Sequence, residues 1–481
     1  MNEELLKQFF DAEAARAVAP LCVLTAGIVA LILAEIVPGL RKLRPVLFLA
    51  SLIGAFMLLG QQLNAPAGLV LGDTFEADRV TAGWGLIFLT STFVAWIYAR
   101  RYYRASAAFL GEHDLLMLAA AMGMMLMAGA RDLTVFFIGL ELLSIPLYCL
   151  AAFRRRRNDS VEAGVKYFIL GAFSVALFLY GAALLYTATG TLSLIELAAS
   201  PAVTSPLALT GIALVMASLF FKLAIFPFHL WVPDVYQGSP SPVTILMATG
   251  TKAAALAFLL KVAFLLPPAA APFVGVMAVL TMAAGNLGAL VQSDLKRMLA
   301  YSSVAHAGTV LLLVAASRAA NGALDAEASQ AALYYMAAYV FTAGGAFGLL
   351  SWLEADGDHF TRIDSLKGLA RSRPGVAAAM TLFLLSLGGI PATGGFLGKW
   401  FVFSVVVRAD MIGIAIAGVL MSVVALGYYL RVVVAMYMEP EPEGMAPPMI
   451  QRGSATFATA FCAAMVVLLG ILPGAFLGSV F

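Results

Sequence analysis

Charge is what this sequence has least of. Asp, Glu, Lys and Arg make up 12% of its 481 residues, against about a quarter in a soluble domain. Hydrophobic residues reach 62% and mean hydropathy is +0.94, so the chain reads as a polytopic membrane protein. Cysteine is nearly absent. Cys22, Cys149 and Cys462 stand singly in apolar runs with no CxxC, which argues against a disulfide framework and against iron–sulfur ligands. The four histidines, His113, His229, His306 and His359, are too scattered for paired haem ligands, so no metal or redox centre is expected in this chain. The formal net charge of +2 carries no basic face of the nucleic-acid kind. The opening MNEELLKQFFDAEAAR lacks a basic n-region and a small-residue cleavage site, so the first apolar run reads as a retained helix.

What is abundant is apolar runs of about 20 residues, the length that crosses a bilayer. Spans are expected at 17–37, 46–61, 80–99, 115–130, 133–153, 163–185 and 207–228. Seven more are expected at 242–266, 272–291, 298–316, 331–353, 376–407, 412–438 and 455–477. These make an all-α chain of about fourteen spans with short connections. Basic residues fall on alternate connections: Arg41, Lys42 and Arg44, then Arg100, Arg101 and Arg104, then Arg154 to Arg157, Lys296 and Arg297, and Arg362, Lys367, Arg371 and Arg373. The positive-inside rule puts these odd-numbered loops in the cytoplasm and both termini outside.

Two of the spans are broken. LALTGIALVMASLFFKLAIFPFHLWVPDVYQGSPSPV (207–243) places Lys222 at membrane depth, Pro227 five residues on, and a polar Pro/Gly segment after that. SLGGIPATGGFLGKWFVF places Pro391 and four glycines inside the span 376–407, with Lys399 beyond. Broken backbone at membrane depth is tolerable only where protein or trapped water satisfies the freed carbonyls. The breaks lie five spans apart, an odd number, so the two helices run in opposite directions. Paired interrupted spans point to inverted repeats with a midplane site. The expected organisation is one membrane domain: 1–112 with three helices, five-helix repeats at 113–267 and 268–438, and a last helix in 439–481.

Ionisable residues inside the spans are the candidate machinery, because a charge at the bilayer centre costs roughly 2.5–3.5 kcal/mol on insertion scales. Glu141 is central in the fifth span, with Ser144 and Tyr148 at i+3 and i+7 on its face and Pro146 beside them. Lys222, Lys252 and Lys399 each lie deep in a span, whereas Lys261 and Lys166 lie near span ends, where an ammonium can snorkel to the interface. An ion pair at about 4 Å is worth roughly 4 kcal/mol at an effective dielectric of about 20. Making and breaking a Glu141–Lys222 pair would therefore switch the lysine between holding and releasing a proton. His306 shares a face with Ser302 and Ser303; it is either a packing group or a proton relay. His229 and Asp234 either line the mouth of the first break or cap its helix end. Asn286 and Gln292 are weaker relay candidates. GGFLGKW departs from a phosphate loop at Thr393 and Trp400, so no nucleotide site is expected.

FKLAIFPFHLWVPDVYQGSPSPVTILMATGTKAA resembles the signature of the antiporter-like proton-pumping chains of respiratory complex I and of Mrp-type cation/proton antiporters. Within that family, GLELLSIPLYCLAAF, VKYFILGAFSVALFLYGAALLYTATG and GIPATGGFLGKW are similar to the N chains (subunit 2) of NADH:quinone oxidoreductase. The resemblance spans roughly 115–435. It implies fourteen helices in two inverted repeats, Glu141 as the carboxylate partner of Lys222, Lys252 as the connecting lysine and Lys399 as the terminal one. It also implies a role for Lys166, since N chains carry a lysine there. A lysine at 399 departs from the M chain, and the long lateral helix of an L chain does not follow the last span.

The expected function is that of a proton-translocating membrane-arm subunit, enzymatic only as part of the oxidoreductase. NAD(H), FMN, iron–sulfur clusters and quinone would belong to partner subunits. The expected partners are the M chain, small membrane subunits and lipid, in a bacterial inner membrane. The rival readings are an Mrp-type antiporter or membrane hydrogenase subunit, and a free-standing solute transporter.

Overall fold

The computed structural model describes residues 12–66, 68–105, 110–355, 361–441 and 453–474. The first helices are α1 (Ala12–Ile36) and α2 (Arg44–Asn64). A small hairpin of β1 (Gly68–Val70) and β2 (Phe75–Ala77) leads to α3 (Arg79–Ala105), α4 (Leu110–Gly129), α5 (Leu133–Ala151) and α6 (Asn158–Thr189). Then come α7 (Pro206–Leu223), α8 (Trp231–Gly238), α9 (Ser241–Ala248) and α10 (Gly250–Lys261). The rest are α11 (Ala271–Leu290), α12 (Leu295–Ala319), α13 (Asp325–Ala355), α14 (Pro374–Gly388), α15 (Gly394–Arg408), α16 (Ile412–Met438) and α17 (Ser454–Ile471). Among the described residues, twelve helical segments are long and apolar enough to cross a membrane. The expected fourth span is α4, 20 residues long and opening on Glu112, His113 and Asp114. The expected twelfth is split into α14 and α15, 15 residues each.

The centre of the bundle is α13 with α12 and the α9–α10 pair, all nearly or wholly enclosed by other helices. Helices α1, α2, α6, α16 and α17 form the rim. Their outward apolar side chains, such as Val29, Phe56, Phe173, Val423 and Phe457, face where lipid would be.

Both breaks use the same closure. Helix α7 ends at Ala224, which takes a left-handed conformation (φ 66), and the Ile225 N–H donates back to the Phe220 carbonyl at 2.8 Å. Helix α14 ends at Gly389 (φ 86), and the Ile390 N–H donates to the Leu385 carbonyl at 3.0 Å. This pattern ends helices generally, and the prolines that follow, Pro227 and Pro391, cannot resume the ladder. One expectation is corrected here. The polar Pro/Gly stretch after the first break is largely helix α8, because Pro233 lies in its first turn, where no N–H is needed, and Asp234 suits that end. The expected span 242–266 is found as one membrane-length segment, Ser241–Lys261, made of α9 and α10 with an interruption at Thr249.

Two parts of the chain are built alike. The α4–α5 hairpin closes tightly, an added Cβ on Gly123 meeting the Leu143 nitrogen at 2.4 Å; in α11–α12, one on Gly285 meets the Ala305 nitrogen at 2.5 Å. Asp132 caps α5 and pairs with Ser193; Asp294 caps α12 and pairs with Arg362. Ion pairs between connections also sort by loop parity among the described residues. Lys166–Asp234, Arg297–Asp234, Lys296–Glu354 and Lys367–Glu439 gather on the face of the odd-numbered loops. Arg131–Glu76, Lys261–Glu76 and Arg408–Glu327 gather on the other.

Candidate functional site

The last turn of α7 carries Lys222 into the interior, where only 4% of it is exposed. Its Nζ donates to the Ser144 Oγ at 2.7 Å, and that hydroxyl donates to the Leu140 carbonyl at 2.5 Å. The rings of Tyr148 and Tyr167 flank the ammonium at 5.8 and 5.4 Å, within cation–π range. Trp231 of α8 stacks on Tyr167 and donates its indole N–H to the Phe221 carbonyl at 3.1 Å. The second half of the broken helix thus satisfies a carbonyl that the break set free.

Glu141 sits one turn before Ser144, half-buried, and among the described residues no Glu141 oxygen lies within 4.0 Å of Lys222. The Glu141–Lys222 pair is therefore open in this structure, and Lys222 bonds Ser144 instead.

Lys252, Ser303 and His306 form the middle of the site. Lys252 is 3% exposed, and its Nζ donates to the Ser303 carbonyl at 2.5 Å and to the Ser303 hydroxyl at 2.6 Å. Three residues on, His306 places Nδ1 at 2.5 Å from the Tyr335 hydroxyl and Nε2 at 3.3 Å from that of Tyr429. Tyr429 in turn meets Ser302 at 2.5 Å, and the neighbouring Tyr428 donates to Asn286 at 3.1 Å. Of the two open readings of His306, the relay fits this geometry. Both ring nitrogens have hydroxyl partners that donate and accept.

Lys399, on α15, turns back across the second break. Its Nζ donates to the carbonyls of Leu387 (2.9 Å) and Gly388 (3.1 Å), the negative end of α14. A cavity of about 10 Å³ lies between His306 and Leu387, edged also by Tyr335, Tyr339, Thr342 and Ser386. Its accessible lining is mostly apolar, and its volume is at the lower limit for a single water.

The remaining candidates lie apart. Lys166 faces the odd-loop side, paired with Glu162 at 2.7 Å and Asp234 at 3.1 Å; Asp234 also binds Arg297 at 2.7 Å. Asp234 therefore lines no mouth but ties α6 to α8 and α12. His229 is buried in the first break, with its Nδ1 unpartnered among the described residues. Gln292 bonds its own helix at the Gly288 carbonyl. Lys261 does not snorkel freely; it pairs with Glu76 at 2.9 Å. His359 lies outside the described residues. Sequence reasoning missed Tyr335, Tyr339 and Tyr429, though the pattern YYMAAY placed two of them one turn apart. It also missed the buried Lys296–Glu354 pair, having read Lys296 only as a loop anchor.

Among the described residues, no cluster of three or more His, Cys, Asp or Glu could hold a metal ion. The site is a row of buried amines and hydroxyls with the His306 imidazole, groups that can donate and accept protons.

Known proteins resemble this chain in sequence and fold. The family described as "NADH:quinone oxidoreductase/Mrp antiporter, TM" matches residues 130–425. NADH-quinone oxidoreductase subunit N of Myxococcus xanthus is 41% identical, over 95% of each chain. A chain of respiratory complex I from Thermus thermophilus superposes with a TM-score of 0.79 at 36% identity, covering 95% of this chain and 98% of that one. A chain of the Mrp complex from Dietzia sp. reaches a TM-score of 0.82 at 21% identity, covering 98% and 96%, which is a likeness of fold. This chain belongs to the NADH:quinone oxidoreductase/Mrp antiporter family, and within it to the N subunits of NADH-quinone oxidoreductase.

Proposed function

We propose that the chain is a proton-translocating subunit in the membrane arm of NADH:quinone oxidoreductase, and that Glu141, Lys222, Lys252, His306 and Lys399 carry its protons. It acts within the enzyme, beside other membrane subunits, without a redox centre of its own. NADH, FMN, the iron–sulfur clusters and quinone belong to the partners. The observation that carries the reading is the run Lys252–Ser303, His306–Tyr335 and Lys399–Leu387, which crosses the bundle centre with hydrogen bonds of 2.5–2.9 Å at each lysine or histidine. In this reading the open Glu141–Lys222 geometry is one state of a switch and the closed pair is the other. Lys166 feeds charge from the odd-loop face through Asp234. The alike hairpins and alike breaks support two inverted five-helix repeats, 113–267 and 268–438. The odd loops face the cytoplasm of a bacterial inner membrane, with both termini in the periplasm.

The test is Lys252→Met in the whole oxidoreductase, reconstituted in sealed vesicles. Protons moved per NADH oxidised should fall, while NADH oxidation with an uncoupler stays near the wild-type rate. An unchanged ratio in an assembled variant would sink the assignment.

A further inference from the structure

One buried charge pair is left unused by this row. Lys296, at the start of α12, and Glu354, near the end of α13, meet at 3.0 Å with side chains only 2% and 8% exposed. Both groups also hold the joint between α8 and α9: Lys296 donates to the Ser239 carbonyl at 2.5 Å, and the Ser241 N–H donates to Glu354 at 3.2 Å. A buried ion pair adds little stability over an apolar pair of the same volume, so stability does not explain it. Two further groups at this joint are costly. The hydroxyls of Ser239 and Ser241 are wholly buried and have no hydrogen-bond partner among the described residues. A buried hydroxyl whose hydrogen bonds are unmade destabilises the fold.

The joint leads to the lysine row. Lys296, Ser303 and His306 lie on one face of α12, at i, i+7 and i+10, and two turns separate the first two by about 10 Å. Helix α8, which carries Tyr236, packs on α12, and the Thr244 hydroxyl of α9 donates to the Tyr236 carbonyl at 3.2 Å. The Tyr236 hydroxyl donates to the Met247 carbonyl at 2.9 Å and faces Ser303, the partner of Lys252. On the outer side, Tyr102 and Tyr103 lie within electrostatic reach of Glu354, and Arg154 donates to the Tyr102 hydroxyl at 2.7 Å. This is the face of the basic loops.

We propose that the Lys296–Glu354 pair is the proton inlet of the row, taking protons from the basic-loop face and passing them over the Ser239–Ser241 joint to Lys252. The proposal rests on the function given above. Glu354 takes a proton from the surface and loses its charge, which frees Lys296 from the pair. Lys296, bonded to the Ser239 carbonyl, gives its own proton to water held by the unpartnered Ser239 and Ser241 hydroxyls, which hands one on toward Tyr236, Ser303 and Lys252. The proton on Glu354 then moves to Lys296, and the pair closes again. One proton enters per cycle, and no other bond changes.

The experiment uses the whole oxidoreductase in sealed vesicles, carrying Glu354→Gln, Glu354→Asp or the double variant Lys296→Met with Glu354→Leu. Protons per NADH are counted beside uncoupled NADH oxidation, with Lys252→Met as reference. Glu354→Gln and the double variant should each lose the same increment as Lys252→Met. Combining either with Lys252→Met should lose nothing more, and Glu354→Asp should restore most of the loss. A mere clamp would tolerate the apolar pair, so a double variant with the wild-type ratio overturns the inlet. Loss of pumping that adds to that of Lys252→Met overturns it as well. A wild-type ratio in Lys252→Met itself overturns the lysine row, a result distinguishable from failure of the inlet alone.

Discussion

The second break depends on one glycine, and its replacement gives the sharpest test of the geometry. A Cβ added to Gly395, in the first turn of α15, would stand 1.9 Å from the Ser386 carbonyl oxygen of α14, where ordinary contact begins at 3.4 Å. Gly395→Ala must therefore push the two half-helices apart by about 1.5 Å, the difference of those two distances. Overpacking of this kind costs about 1–3 kcal/mol. The shift also breaks the 3.2 Å bond from the Gly395 N–H to the Ser386 hydroxyl, which itself meets Thr342 at 3.1 Å. Lys399 lies one turn further along the same face. Carried with α15, its bonds of 2.9 and 3.1 Å to Leu387 and Gly388 lengthen past hydrogen-bond range. A misplacement of about 1 Å can cost about 100-fold in a positioned step, so coupled proton pumping should fall by about that factor. Gly413→Ala is the control: nothing lies within 4 Å of its added Cβ, and alanine should be neutral or stabilising by about 0.5–1 kcal/mol in a helix. The readouts are thermal unfolding of the purified oxidoreductase and proton uptake in vesicles. A Gly395→Ala enzyme that pumps like wild type would refute the reasoning.

Two other outcomes follow. Burial works to raise the Glu76 carboxyl, but the charges and hydrogen bonds of Lys261 and Arg131 outweigh it and hold the group below its ordinary value. The stability this adds is present above the ordinary carboxyl pKa of about 4.3 and is lost as pH falls through the lowered value. Glu76→Gln should therefore melt earlier than wild type at pH 7, with the gap closing on acidification; a gap that does not depend on pH would contradict the assignment. Tyr335→Phe removes the 2.5 Å partner of His306 Nδ1 while keeping the ring. Loss of a buried hydrogen bond of about 0.5–1.5 kcal/mol should slow coupled proton movement several-fold and leave uncoupled NADH oxidation unchanged, which vesicle assays with and without uncoupler compare directly.

The spans and the breaks were legible in the sequence because their causes are local. A run of apolar residues, or a proline after Lys222 and Ile390, constrains its own backbone. The central lysines were legible for the same reason, since a charge inside an apolar run is unusual wherever the chain then goes. Partners were not legible. Ser144 reaches Lys222 across 78 positions of sequence, and Tyr429 reaches His306 across 123. The Glu141–Lys222 pairing followed the attraction of opposite charges, yet packing placed Ser144, one turn on, beneath the amine. Glu354 was not singled out in the sequence, because only the packing of α12 on α13 and the α8–α9 joint buries it against Lys296.

On the proposed function, partners also account for which lysines form the row. Lys222, Lys252 and Lys399 are bonded to hydroxyl and carbonyl oxygens that carry no formal charge. Hydrogen bonds from a charged donor are worth about 1.5–3 kcal/mol, while moving one charge against 100 mV takes about 2.3 kcal/mol. The hold on the proton and the work done on it are of one size, so a modest change in geometry or hydration decides whether the proton stays or moves. A permanent carboxylate at about 4 Å would hold the ammonium by roughly 4 kcal/mol, more than that step supplies. Of the lysines with a closed carboxylate pair, Lys261 stands outside the row, while Lys166 and Lys296 would release a proton only once the carboxylate partner is neutralised. Glu141 can engage Lys222 only in passing, because a pair that stayed closed would turn the first amine of the row into a fixed bridge.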